Sequence, residues 1–176
     1  MNFAIDSRLP AQPKPVPDTS SRLDEIADMM LTRAFLGAER VDSSLVKDAK
    51  DGVTVRIEHV YESRNTLYVH YTVTNHSGRP YRVLTPTVEQ LTPAKPGISI
   101  ESLEHSQLSH SMLKKLGPAD VTGRAIANAE VAKQDVGPGE STHGVVAIRQ
   151  KPDSPSVLRF TFRANGKNAV EAVVVL

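Results

Sequence analysis

The chain has 176 residues, 39% of them hydrophobic, which predicts one folded domain with at most an appendage. Its 21 Lys and Arg residues nearly balance 20 Asp and Glu residues, and a net charge of +1 excludes the basic surface typical of nucleic-acid-binding proteins. The absence of cysteine excludes disulfides, thiolate zinc sites and cysteine nucleophiles, and the absence of tryptophan disfavours stacking platforms. No apolar run is long enough to span a membrane, and the first residues lack a signal-peptide pattern.

A proline-rich segment begins the chain. Pro10, Pro13, Pro15 and Pro17 alternate with other residues, and each proline favours extended backbone at its own position and the one before it. We therefore expect residues 1–20 to form an extended arm. The arm is either a disordered linker or a strap laid on a neighbouring subunit, in which case Pro13, Pro15 and Pro17 would bind that partner.

Residues 21–36 follow a helical pattern, and we expect 21–50 to form an amphipathic helix and a linker. The apolar stripe consists of Leu23, Ile26, Ala27, Met30, Leu31, Ala34 and Phe35. Met29 and Leu36 lie off this stripe. They are either isolated surface residues or part of a second contact face, where Met29, Phe35 and Leu36 would bind a partner.

From residue 51 the hydrophobic period changes from 3.6 to 2, as in Val53–Ile57 and Leu67–Val73. Further strands are expected in the segments Tyr81–Thr85, Ile98–Ile100, Val145–Ile148, Val157–Ala164 and Ala169–Leu176. About seven strands with turn signals between them, and no βαβ rhythm, predict a mainly β fold, an antiparallel immunoglobulin-like sandwich over 51–176. Residues 101–139 are too long for a sandwich loop and predict a partly helical insertion.

The alternation also predicts which side chains share a face. In the first two strands the residues expected to be buried have odd numbers, so that His59 would point inward and His70 outward. If both strands are regular, these two histidines therefore cannot form a metal-binding pair. In both strands of the last hairpin the residues expected to be buried have even numbers. Pairing even with even requires either a turn of at least three residues at Asn165-Gly166 or a bulge. Arg159 and Arg163 then share the outer face with Glu171.

Motifs for catalysis, cofactors or metals are not recognisable: the sequence lacks a nucleophile elbow, a phosphate-binding glycine loop and a zinc-binding helix motif. His105 and His110 are five residues apart and would face different sides of a helix. A hydrolase that uses one of them with a nearby serine is the weakest hypothesis. We predict no catalytic residue, no cofactor and no metal site.

The stretch VTVRIEHVYESRNTLYVHYTVTNHSGRPYRV (Val53–Val83) reads as two strands, an Asn-x-Ser turn and a strand that begins with tyrosine. It resembles the opening of immunoglobulin-like accessory domains of bacterial envelope machinery. It is also similar to the β-sandwich domains of TraN/TrbG-type subunits, and Val136–Ile148 and the final hairpin fit the same plan. This resemblance implies a sandwich fold and a place in the outer-membrane core of a conjugation or secretion machine, but it assigns no functional residues.

We therefore predict a non-enzymatic structural or interaction subunit of a multiprotein assembly in the bacterial cell envelope. Its partners would be other protein subunits, with a homo-oligomer as one option, and neither nucleic acid nor a membrane span is expected. The alternatives are a ligand-binding module that holds a small molecule or glycan in 101–139, and a virion structural protein. A periplasmic location fits if Met1 replaces a removed signal segment, and a cytoplasmic or virion location fits otherwise.

Overall fold

The computed structural model describes residues 36–163 and 169–176, which form twelve strands. The strands are β1 (Glu39–Arg40), β2 (Val53–Ser63), β3 (Thr66–Asn75), β4 (Tyr81–Arg82), β5 (Thr87–Pro93), β6 (Ser106–Gln107), β7 (Ala119–Arg124), β8 (Ile126–Val131), β9 (Asp135–Val136), β10 (Ser141–Arg149), β11 (Val157–Arg163) and β12 (Ala169–Val175). A 3₁₀-helix, Glu101–Leu103, precedes β6, and the α-helix α1, His110–Leu116, follows it.

Two five-stranded antiparallel sheets make up most of the fold. Sheet I has the strand order β1-β2-β3-β10-β8 and sheet II the order β6-β12-β11-β5-β7, while β4 and β9 form a separate pair. Both sheets contribute to one apolar core, whose largest fully buried side chains are Phe160, Phe162, Ile57, Ile148 and Leu158. The prediction of a mainly β, antiparallel, immunoglobulin-like sandwich is confirmed.

Strand alternation decides which side chains enter this core. In β3 the buried apolar residues are the predicted odd-numbered ones, Leu67, Val69, Tyr71 and Val73. In the final hairpin β11 pairs with β12 so that Leu158 lies opposite Val174, which confirms the predicted pairing of even-numbered residues. The turn predicted at Asn165-Gly166 lies outside the described residues.

A β-bulge changes the direction of the side chains halfway along β2. The register with β3 shifts between Ile57 and His59, so that His59 lies opposite His70. Ile57 and Val60 are both buried, whereas His59 is exposed. An extra residue in one strand moves the alternation by one position. The prediction that His59 points inward is therefore wrong. Because β2 is not regular, His59 and His70 lie on the same face and not on opposite faces as predicted.

Residues 94–118 cover part of the outer face of sheet II. They bring together a second apolar cluster of Leu91, Leu108, Leu116, Val157, Val173 and Val175, with Met112 and Leu113 packed against it. Sheet II is therefore buried on both faces at this end. Ile98 and Ile100 also pack here, but in irregular backbone, and the short strand predicted for them is wrong.

Residues 119–131 supply one edge strand to each sheet. β7 pairs with β5 at the edge of sheet II, and β8 pairs with β10 at the edge of sheet I. The segment 101–139, predicted as a partly helical insertion, thus contains the 3₁₀-helix and α1 and also three strands of the two large sheets, β6, β7 and β8.

Tyr71 lies across Gly144 on the inner side of sheet I. Its ring packs at 4.8 Å from the ring of Phe162, and burial raises the pKa of its phenol to about 12 because a phenolate there would lose its hydration. A Cβ atom at position 144 would stand 2.5 Å from the carbonyl oxygen of Glu130 and 2.6 Å from Cζ of Tyr71. Glycine is therefore required at 144 by the close approach of its neighbours.

Candidate functional site

The middle of the outer face of sheet I carries two cross-strand rows of tyrosine, histidine and small apolar side chains. One row joins Tyr61, Tyr68 and Ala147 across β2, β3 and β10, and the tyrosine rings lie 6.0 Å apart. The next row joins His59, His70 and Val145. Because directly opposite residues on neighbouring strands share a face, these side chains form one continuous surface.

Three histidines meet on this surface. His59 and His70 are direct cross-strand partners, and His143 lies diagonally from His70, opposite Thr72. All three side chains are exposed. We call His59, His70 and His143 the histidine patch. The bulge in β2 creates it, because a regular β2 would have turned His59 toward the core.

Partial burial is the main cause that lowers the pKa of His70 below 6.5, and the neighbouring His59 and His143 lower it further. The carboxylate of Glu58 opposes this shift, since a nearby negative charge favours the protonated imidazole. Glu58 is itself held on this face, where its carboxylate accepts a hydrogen bond of 2.6 Å from the Thr72 hydroxyl. His70 therefore gains its proton only at a lower pH than an unperturbed histidine does.

A charged cluster borders the face beside β2. Arg56 donates to the carboxylate of Asp48 at 2.6 Å and to the carbonyl of Val46 at 3.0 Å. The hydrogen bond from Arg56 holds the pKa of Asp48 below its usual range. These contacts fix the segment before β2 against the strand and place charged groups beside the two rows on that side.

The open part of sheet II has a different character. Arg159 and Glu89 form an ion pair there with an N–O distance of 2.7 Å, and Arg163 and Glu171 line the same surface. Arg159, Arg163 and Glu171 share this face as predicted, but the partner of Arg159 is Glu89 on β5. The register instead places Glu171 opposite Thr161.

The residues considered for catalysis do not come together. His105 precedes β6 and lies 3.1 Å from the carboxylate of Glu39, whereas His110 begins α1. The hydroxyls of Ser109 and Ser111 bond to each other at 3.0 Å, and neither histidine bonds to a serine within the described ranges. In the same part of the chain, no group of three or more His, Asp or Glu side chains is placed to hold a metal ion.

Of the predicted partner-binding residues, only Leu36 falls in the described part, and its side chain is 83% exposed. The others, Pro13, Pro15, Pro17, Met29 and Phe35, lie outside it. Sequence reasoning missed Tyr61, Tyr68 and the histidine patch as a surface. The pattern that could have revealed this surface is the spacing of three between the apolar residues Ile57 and Val60, because a regular strand spaces its buried residues two apart.

Neither a protein-family model nor a curated protein sequence matches this chain. Among solved structures, the chain is similar to the archaellum periplasmic stator protein FlaG from Sulfolobus acidocaldarius, with a TM-score of 0.38 and 10% identity, over 69% of this chain and 98% of FlaG. It is also similar to the stator complex of FlaF and FlaG from the same organism, with a TM-score of 0.39 and 10% identity, over 77% of this chain and 96% of that chain. The likeness to TraN/TrbG-type subunits stays a prediction.

Within the described segments, no helix has both the length and the hydropathy that a membrane span requires.

Proposed function

We propose that this protein is a non-enzymatic subunit of a multiprotein assembly and that it docks through the outer face of sheet I. The observation that carries the proposal is the composition of that face, where Tyr61, Tyr68 and Val145 lie beside the histidine patch. Tyrosine presents a large apolar ring with a polar tip at a small cost in conformational entropy, which is why it is enriched in protein interfaces.

The contrast between the two sheets supports the choice of face. On the open part of sheet II, Arg159 already pairs with Glu89, and that surface is charged. Charged residues are depleted from the centres of interfaces, because burying them costs hydration. On sheet I the carboxylates of Glu58 and Glu130 lie beside the two rows and not within them, so that a partner surface can cover the rows with less desolvation.

Further contacts belong to the same proposal. The arm, through Pro13, Pro15 and Pro17, and the helix, through Met29, Phe35 and Leu36, would add to the docking of the sandwich. The resemblance of Val53–Val83 to accessory domains of envelope machinery is the reason to look for the assembly in the cell envelope.

The test is affinity purification of the full-length protein from its native host, followed by mass measurement of the intact complex. His70→Glu places a negative charge in the centre of the proposed face, and Thr87→Glu places the same charge on the exposed outer side of sheet II. We expect the wild type and T87E to retain the partner and H70E to lose it. A wild-type protein that runs as a compact monomer, or equal partner recovery with H70E, would contradict the proposal.

A further inference from the structure

One side of the sandwich has a seam where an edge of sheet I meets an edge of sheet II. At one end the chain closes this seam itself. Asp42, which follows β1, bridges to Ser106 in β6, and the Gln107 amide donates to the Asp42 carbonyl at 2.8 Å. The Asp42 amide in turn donates to the carbonyl of His105 at 2.7 Å. The two sheets are thus joined edge to edge at this end.

Toward the other end the seam opens, because the short strands stop. β6 pairs only with Val174 and Val175 of the seven-residue β12, and the last bond is from the Leu108 amide to the Val173 carbonyl at 2.8 Å. Backbone groups of alternate residues point to the same side of a strand. The N–H and C=O of Glu171 therefore point into the open seam, where no described residue pairs with them, while Val170 and Ala172 face β11.

The opposite wall of the seam is the free edge of β2, and one side chain already binds it as a strand would. The Gln107 side-chain oxygen accepts from the Ile57 amide at 2.8 Å, and its NH2 group donates to the Val55 carbonyl at 2.8 Å. This amide replaces one peptide group of a paired strand. The next position along the same edge is Val53, whose backbone finds no partner among the described residues.

The groove at the open end is lined mainly by apolar side chains, among them Val53, Leu108, Leu113 and Val170. Leu45, on the rim, has 53% of its surface exposed. The edge of β12 is open from Ala169 to Ala172, and an unpaired strand edge is a template for pairing with another chain.

We infer that the open end of the seam binds an extended segment of a partner subunit, which adds to β12 in line with β6. Alternate apolar residues of this segment would face Val53 and Val170, and a basic residue would lie opposite Glu171, which forms no ion pair within the described ranges. A second copy pairing through β12 would set Glu171 opposite Glu171, and like charges opposite each other destabilise a sheet. The inference rests on the proposed role as an assembly subunit but uses a different surface from the face of sheet I.

The first test is amide hydrogen exchange on the full-length protein alone. The Glu171 amide should exchange faster than the amides of Val170 and Ala172, which bond to β11. A Glu171 amide protected as well as its two neighbours would overturn the inference, because the seam would already be filled in the protein alone.

The second test uses a defined probe, the peptide acetyl-Thr-Val-Thr-Val-Lys-Val-Thr-amide, followed by NMR on the full-length protein. We expect saturable shifts at Val53 and Glu171. E171P removes the N–H that points into the seam and should weaken binding at least about tenfold, which corresponds to one lost hydrogen bond of ~1.4 kcal/mol. E171A keeps this N–H and should weaken binding less.

A control probe covers the case in which E171P fails to fold. The same peptide, N-methylated at the lysine and at the threonine two residues after it, cannot pair with β12 and should not bind the wild type. Binding of the methylated peptide with equal affinity, or no saturable binding of the first peptide, would overturn the inference. Either result would leave the docking face on sheet I untouched, since H70E and T87E test it separately.

Discussion

Replacing Gly144 with alanine tests how closely the inner side of sheet I is packed. The added Cβ would lie 2.5 Å from the Glu130 carbonyl oxygen and 2.6 Å from Cζ of Tyr71. The Glu130 oxygen belongs to the backbone of β8, and the Tyr71 ring is buried against Phe162. Relief of either contact therefore requires movement of an edge strand or of a core ring. Overpacking of this kind costs about 1–3 kcal/mol, and two simultaneous contacts favour the upper part of that range.

The assay is calorimetric unfolding of the G144A variant beside a matched glycine variant. For a chain of this size, 1 kcal/mol corresponds to a change in Tm of about 2–4 °C. Gly123 in β7 has no atom within 4 Å of an added Cβ, so that G123A should change the stability by less than about 0.5 kcal/mol. We expect G144A to lower the Tm by several degrees and G123A to leave it nearly unchanged.

A G144A variant as stable as G123A would refute the packing argument. Repeating G144A in a Tyr71→Phe background sharpens the test. Phenylalanine lacks the hydroxyl but keeps the ring carbon and leaves the Glu130 carbonyl in place. The alanine should therefore still destabilise the protein in that background, and full rescue would show that only the hydroxyl resists the Cβ.

The remaining predictions concern a titrating surface group and a buried amide. Because partial burial and the neighbouring histidines lower the pKa of His70, the unfolded chain binds this proton more readily, and stability should decrease as the pH falls below 6.5. The drop in Tm between about pH 7.5 and about pH 5.5 should be smaller for H70Q than for the wild type or H110Q, and an equal drop in H70Q would count against the assignment. Gln107→Leu leaves two buried backbone groups of β2 unpaired and should lower the free energy of unfolding, measured in urea, by at least about 2 kcal/mol. Gln90→Leu loses one long hydrogen bond of 3.4 Å and should lower it by less than about 1 kcal/mol. Similar losses for both variants would contradict the role of Gln107.

The strands β2, β3, β10, β11 and β12 could be predicted because their signal is local, whereas β5 (Thr87–Pro93), an internal strand of sheet II, was not predicted. Alternating apolar residues in β3 and in the last hairpin predicted both the strands and their buried faces. β7 and β8 escaped prediction because edge strands need no alternating pattern: ADVTGR and IANAEV are held by pairing with β5 and β10, which lie far away in the sequence. Ile98 and Ile100 looked like a strand because they are buried, but they pack on sheet II without pairing.

The candidate surface was hidden by one inserted residue. With regular strands His59 would have been buried, and the histidine patch would not exist. The bulge that exposes it is stabilised by contacts that depend on the tertiary fold, among them the bond from the Val41 amide to the Glu58 carbonyl at 2.9 Å and the Gln107 side chain at Ile57. Such contacts join residues up to fifty positions apart, which no local pattern records.

The most direct test of the docking face compares tyrosine labelling in the free protein and in its native assembly, read out by mass spectrometry. The chain has four tyrosines: Tyr61 and Tyr68 lie on the proposed face, while Tyr71 and Tyr81 are only 2% and 7% exposed and serve as internal references. We expect Tyr61 and Tyr68 to be labelled in the free protein and protected in the assembly, with the two references unlabelled in both. Labelling of Tyr61 and Tyr68 to the same extent in both states would contradict docking through sheet I.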